Sequence, residues 1–312
     1  MKEIFVNLKR FDVPKSMGGI CPTDDSKMWI ENIMKEAVES GLGKLDCINV
    51  TFLLPESLII SAKEALSKYQ KNDTKTINIG SQGVFRENVK VGGNFGAFTT
   101  NLPAAAVKSL GCTWSIIGHS EERKDKLGII EQFESFSDER VNTSEKAAKA
   151  VDSLVNDEVI CALDSGINVL MCVGETGDER GSGSFEEQKP KIQKILEIQL
   201  EMGLKGVEAY MTNQKIVIGY EPIWAIGPGK TPPGAEYIEF VSIFIKSIVK
   251  EKFNFDPIVV YGGGLKEENA SMIASIGTIG GGLVALTRFT GNIGFEVEDL
   301  VRIIEEYAKK KF

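Results

Sequence analysis

The chain has little of what metal, redox or nucleic-acid chemistry requires. It holds one histidine, His119, so His-rich zinc and iron sites are excluded and any imidazole chemistry runs through that residue. Its five cysteines (Cys21, Cys47, Cys112, Cys161, Cys172) are scattered, odd in number and free of C-x-x-C spacing. That usage fits a reduced cytoplasm and offers no metal site. No apolar run approaches the ~20 residues that span a bilayer. The opening MKEIFVNLKR enters a strand-like alternation without a basic segment and apolar core, so no signal peptide is expected. Excess basic charge is missing too: 36 Lys and Arg face 44 Asp and Glu, for a net charge of −8. Neither nucleic acid nor an anionic membrane is an expected partner. The late AKKKF closes a helical pattern, where cations complement the helix dipole.

What is present is a regular alternation. Strand-like runs lie at 4–9, 48–53, 76–82, 113–119, 167–175, 216–222, 257–264 and 279–286. Most are nearly continuous apolar runs, the pattern of strands buried on both faces of a parallel sheet. Helical patterns fill the gaps at 24–41, 55–71, 102–111, 143–165, 184–203, 234–252, 267–276 and 295–311, several behind a cap or early proline (Pro55, Pro103, Thr143). Eight βα units without a break in composition predict an α/β protein, a closed (β/α)8 TIM barrel, in one domain over 1–312. An open doubly wound sheet is the other architecture this order allows. Such barrels typically take ~250 residues, so insertions are expected. The charged segment 120–142 is the clearest, and 84–101 is a second.

In such barrels the working residues sit at the C-terminal ends of strands. Those ends carry Asn7 and Lys9, Gln82, His119, Glu175, Glu221 and the glycines at 262–264. A base, an imidazole, an ammonium and backbone donors together suit proton transfer next to a carbonyl on an anionic substrate. Ser120 is a candidate cap for a helix starting after His119, with Glu121 and Glu122 in its first turn. The positive end of that helix disfavours an imidazolium and leaves a neutral hydrogen-bond donor. A lone histidine at a strand end is more often structural, but its polar company points to chemistry. Glu221 follows IVIGY directly, and a carboxylate at an apolar rim is a stronger base than one in water. The glycine-rich pieces (Gly227, Gly229, Gly262–Gly264, Gly280–Gly282) are each weak signals. Together, after strands six to eight, they fit backbone cradles for a phosphate.

The segments NLK (7–9), GAFT (96–99), IIGHSEER (116–123), CVGE (172–175), GYEPIWAIGPGK (219–230) and YGGG (261–264) resemble triosephosphate isomerases, in that family's order and over most of the chain. The resemblance implies an aldose–ketose isomerase without cofactor or metal, acting on a small phosphorylated sugar as a homodimer. It implies Glu221 as the base, His119 as the neutral electrophile, and Lys9 and Asn7 as the residues that steady the enediolate; the pairing of glutamate and neutral histidine is inherited from the family. Residues 222–232 would form a lid whose closure excludes water, with the Gly227 N–H on the phosphate. Gly263, Gly264, Ala285 and Leu286 would complete the phosphate site. Ser120, Glu121, Glu175 and Cys172 would support the reacting groups, with Glu121 and Glu175 near Lys9 and His119.

The chain departs from that pattern where it would hold the phosphate and a second copy. Gly264 stands where the family has serine, Ala285 and Leu286 where it has two glycines, and Pro228 where it has threonine at the lid tip. An alternative alignment places the phosphate on Gly281–Gly282. Glu122 and Asn101 replace an arginine and a glutamate that support each other near the dimer contact. Two further readings therefore stay open: the same chemistry on a four-carbon sugar phosphate of the erythrulose phosphate type, and a non-catalytic barrel that binds a metabolite.

Overall fold

Eight short apolar runs pair edge to edge and close on themselves. The structure, a computed structural model, describes residues 1–136, 144–227 and 229–309. Its strands are β1 (Lys2–Asn7), β2 (Ile48–Leu54), β3 (Ile77–Ser81), β4 (Trp114–Ile117), β5 (Asn168–Val173), β6 (Ile216–Tyr220), β7 (Ile258–Tyr261) and β8 (Ile279–Val284). All neighbours are parallel, in chain order, and β8 returns to β1 through Glu3↔Gly281 to Val6↔Val284. The helices between them are α1 (Ser26–Glu39), α2 (Glu56–Ser67), α3 (Ala104–Ser109), α4 (Ser120–Glu134), α5 (Ser144–Asp164), α6 (Gly177–Arg180), α7 (Phe185–Gly203), α8 (Ala235–Phe253), α9 (Glu267–Ser275) and α10 (Val297–Ala308). The architecture is the expected closed barrel, not an open sheet.

Alternation along each strand divides the apolar side chains between two cores. On β1, Ile4 and Val6 join the layer under the helices, while Phe5 points inward. The interior is filled by Phe5, Leu53, Trp114, Ile116, Leu170, Cys172, Val217, Val260 and Leu283. Phe5 and Trp114 meet edge to face at 5.1 Å. Each buried side chain of this size is worth roughly 1.5–3 kcal/mol, so the barrel is plugged, and substrates can meet it only at its rim.

The strands end earlier than the apolar runs suggest. β1 stops at Asn7, β4 at Ile117, β5 at Val173 and β7 at Tyr261, so Lys9, His119, Glu175 and the glycines at 262–264 lie on loops beyond them. The segment 120–142 opens as the 15-residue helix α4; residues 137–142 lie outside the described residues, as does Pro228. Segment 84–101 forms no helix or strand and is fastened at its base by Phe85 N–H donating to the Leu102 carbonyl at 2.8 Å. No described helix is long and apolar enough to cross a membrane.

The alternative placement of the phosphate at Gly281–Gly282 is overturned. Both glycines are buried inside β8. A Cβ on Gly281, whose φ is +152°, would overlap the Glu3 carbonyl oxygen. Gly280–Gly282 therefore serve strand packing and are not a cradle. Ala285 and Leu286, half-buried just past the strand, are the residues at that rim.

Candidate active site

Glu221 follows β6 and is almost closed to solvent, with 3% exposed. Its backbone N–H donates to the Val173 carbonyl at 2.8 Å. A Cβ on Gly262 would lie 2.8 Å from Glu221 Cγ and 2.8 Å from the Tyr220 carbonyl oxygen; glycine is needed there because the neighbouring loop runs against the carboxylate's stem. The carboxylate is held by the start of α4. Ser120 N–H donates to Oε2 at 2.9 Å, and Ser120 Oγ donates to Oε1 at 3.0 Å. His119 Nε2 lies 3.3 Å from the same Oε1.

The expected cap at Ser120 is a correction. His119 is the N-cap of α4, and its Nδ1 accepts the Glu121 backbone N–H at 3.4 Å. Ser120 is the first helical residue, which frees its N–H and hydroxyl for Glu221. With Nδ1 used as an acceptor, the neutral ring carries its proton on Nε2, the nitrogen that faces Glu221 and the cavity.

Lys9 adopts φ 41°, a left-handed conformation that costs a non-glycine residue about 1–3 kcal/mol. Its surroundings hold it there. The Lys9 N–H donates to Asn7 Oδ1 at 2.9 Å, and Gln82 Nε2 donates to the Lys9 carbonyl at 2.8 Å while reaching Leu53 O and Asn7 Oδ1. Lys9 Nζ then pairs with Glu121 Oε1 at 2.5 Å. Burial alone would lift the Glu121 carboxyl; the hydrogen bond and charge of Lys9, with His119 beside it, hold it below the ordinary value. For Gln82 the sequence signal is only its strand-end position; the contacts to Asn7 and Lys9 come from the fold.

Lys9 and His119 line a cavity of about 410 Å³, together with Asn7, Arg10, Phe11, Gln82, Ile116, Glu121 and Glu122. Arg123 steadies this wall. Its Nε donates to the Gly118 carbonyl at 2.8 Å, its Nη2 to the Cys172 carbonyl at 3.2 Å, and its Nη1 pairs with Asp152 at 2.5 Å. Cys172 lies in the barrel interior behind Glu221, where burial first and the nearby carboxylate second push its thiol well above the ordinary range.

The partners of Glu175 are not Lys9 and His119, a second correction. It is fully buried, and its Oε1 accepts from Tyr237 Oη (2.7 Å), Trp224 Nε1 (2.8 Å) and Tyr220 Oη (3.0 Å). Burial raises this carboxyl despite the three donors. Trp224 belongs to the one-turn 3-10 helix Ile223–Ala225, and Arg180 lies 3.7 Å over its ring. Beyond it, exposed Gly227 and Gly229 take φ values of 119° and 73°. Gly264, on the loop after β7, has φ 90°. Among the described residues, no three or more His, Cys, Asp or Glu are grouped to hold a metal ion.

Glu122 does not reach outward as the arginine it replaces would. Its Oε2 accepts the Gly118 N–H at 2.6 Å, and it shares Lys126 with Glu158 of α5.

This arrangement can be set beside known proteins. A family model described as triosephosphate isomerase matches residues 27–306. The triosephosphate isomerase of Chloroherpeton thalassium is 33% identical over 241 residues, covering 76% of this chain and 79% of that protein. That of Finegoldia magna is 29% identical over 287 residues, covering 90% and 96%. The solved structure of triosephosphate isomerase from Bartonella henselae has a TM-score of 0.66 at 22% identity, over 99% of each chain, and speaks for the fold. The matched span begins after Asn7 and Lys9, whose place beside His119 and Glu121 rests on geometry. With a barrel of this topology and a match over most of its length, the chain belongs to the triosephosphate isomerase family.

Proposed function

We propose that this chain interconverts dihydroxyacetone phosphate and D-glyceraldehyde 3-phosphate through an enediolate. The observation that carries the reading is the 3.3 Å approach of Glu221 Oε1 to His119 Nε2 at the wall of a cavity that Lys9 also lines. A carboxylate removes the proton from the carbon beside the carbonyl. The Nε2–H of His119 donates to the oxygen that gains charge, and the Lys9 ammonium, with Asn7 at its root, stabilises the enediolate. The hydroxyl proton passes by way of His119 Nε2 to the former carbonyl oxygen, and Glu221 returns its proton to the adjacent carbon, so the bond changes balance without an oxidant or a cofactor.

At rest, Glu221 is parked on Ser120. Reaching the substrate requires those two hydrogen bonds to break as the side chain swings, with the 221 N–H still on Val173, and closure of the 222–232 segment would favour that swing. Gly227 N–H, the backbone at Gly263 and Gly264, and Ala285 and Leu286 would receive the phosphate. Val91 and Phe95, exposed on the 84–101 loop, and Met17 after β1 are the exposed apolar residues through which two copies would pair.

The test is the steady-state rate on D-glyceraldehyde 3-phosphate beside Glu221→Gln. The unmodified chain should turn over rapidly and the variant should lose about 10²- to 10⁴-fold in kcat. A slow parent, or a variant that matches it, refutes the reading. A four-carbon sugar phosphate is the second reading, left open by the altered residues Gly264, Ala285 and Leu286 at the expected phosphate end. A higher kcat/KM on that ester would put it first. A purely binding barrel is disfavoured by the ordered contacts around Glu221, His119 and Lys9.

A further inference from the structure

The loops after β7 and β8 have lost the hydroxyl and the paired glycines that the family resemblance leads one to expect, so the phosphate would need another partner there. Lys266 is placed to supply it. A Cβ built on Gly264 lies 4.0 Å from Lys266 Cε. The lysine's far end thus occupies the side of the loop toward which a residue-264 side chain would project. Its Nζ lies 3.9 Å over the ring of Phe289, an exposed residue of the loop after β8. One ammonium therefore spans both loops at this end of the barrel.

Its neighbours are already committed. A hollow of about 390 Å³ is lined by Lys266, Thr287, Arg288, Phe289, Thr290 and Arg302, together with acidic residues. Arg288 donates to Asp299 at 2.8 Å, and Arg302 pairs with Glu298 at 2.9 Å, with Glu267 at 3.2 Å and with Asp299. Lys266 has a single ion pair among the described residues, to Glu268 at 3.9 Å, beyond hydrogen-bonding distance. Of the three cations, it is the one with donors to spare. A lysine's flexible stem lets the ammonium leave an aromatic face for an arriving dianion, where it presents up to three N–H donors.

We infer that Lys266 is the cationic anchor for the substrate's phosphate monoester, in the role that a serine hydroxyl at 264 would otherwise fill. The inference rests on the isomerase reading for its substrate, but the ligand chemistry is that of a phosphate dianion and inorganic phosphate probes it directly. In Lys266→Met, KM for D-glyceraldehyde 3-phosphate should rise about tenfold to a hundredfold, the range for losing one hydrogen bond to a charged group, with kcat within about threefold. Binding of inorganic phosphate, followed by calorimetry on the full chain, should weaken by a similar factor, and Lys266→Arg should recover most of both. A methionine variant that keeps KM and phosphate affinity within about twofold of the parent overturns the assignment, as does a parent that binds no phosphate. If the parent isomerises no triose phosphate yet its phosphate binding is lost in Lys266→Met, the anchor stands and the isomerase reading falls.

Discussion

Shortening the base by one carbon tests the geometry more severely than removing it. Glu221→Asp keeps the charge and withdraws the carboxylate by about 1.5 Å, the length of one carbon–carbon bond. The backbone cannot follow to compensate. The residue 221 N–H is fixed to the Val173 carbonyl at 2.8 Å, and the chain at Gly262 is already against the Glu221 stem. A proton transfer set up at about 3–3.5 Å would then have to cross roughly 4.5–5 Å, and misplacement of 1 Å costs on the order of 10²-fold. The expected loss in kcat is therefore about 10²- to 10³-fold, roughly 3–4 kcal/mol at 1.36 kcal/mol per decade. KM should stay within about threefold, because the base acts on the transition state and does not hold the ground state. The assay is steady-state isomerisation at neutral pH in both directions, with the melting temperature measured to show an intact fold. A loss of less than tenfold, or one carried wholly by KM, would refute the claim that this carboxylate is positioned by its rigid neighbours to take the proton.

Two further outcomes follow from groups away from the chemistry. Glu158 is buried beside Lys126 and Glu122, and burial first, then the adjacent Glu122 carboxylate, push it up to about 9. Between the ordinary glutamate value, about 4.3, and 9, the folded chain holds a proton there that the unfolded chain releases. Stability from this site is thus complete below that window and is lost as pH rises through it, by on the order of 1 kcal/mol per pH unit. Glu158→Gln, neutral at every pH, should flatten the fall of melting temperature between pH 6 and 9; parallel curves for parent and variant would reject the shared proton. For assembly, sedimentation should give the parent twice the 34.1 kDa chain mass. The double variant Val91→Asp, Phe95→Asp should run at the single mass, since Asp tolerates the φ of 55° at position 95; a monomeric parent or a dimeric variant would remove the 84–101 loop from the contact.

The barrel was legible because parallel strands covered on both faces must be apolar throughout, and eight such runs alternate with helical patterns. Their ends were less so. The runs through Gly118–His119 and Gly174–Glu175 look continuous in sequence, yet pairing stops at Ile117 and Val173. Lys9 reads as the next residue of a strand, but its backbone turns left-handed, a choice made by Asn7 and Gln82 side chains that no local propensity reports. Glu175 has the residue type and strand-end position of a supporting carboxylate. Its true partners, Tyr220, Trp224 and Tyr237, come from 45 to 62 residues further on, a distance over which spacing carries no information. The glycines at 280–282 look like a cradle when only their number is counted, because flat packing of β8 against β1 and a phosphate loop ask for the same residue for different reasons.

The candidate site depends most on one short segment, His119 to Arg123. His119 caps α4 and thereby sets which ring nitrogen bears the proton. Ser120 holds the base at rest, Glu121 holds Lys9, Glu122 accepts from Gly118 and pairs with Lys126, and Arg123 ties Gly118 to β5. Five successive residues all make contacts of this kind because a helix start leaves its first N–H groups free and projects its first-turn side chains in several directions. A change that moved the start of α4 by one residue would turn the imidazole, release Glu221 and detach Lys9 together. The proposed phosphate end has no such shared element: Gly227, Gly264 and Leu286 follow three different strands. Substitutions there, such as Gly264 and Leu286, can be absorbed one at a time, whereas Glu122, the departure within the block around His119, is tied to Gly118 and Lys126.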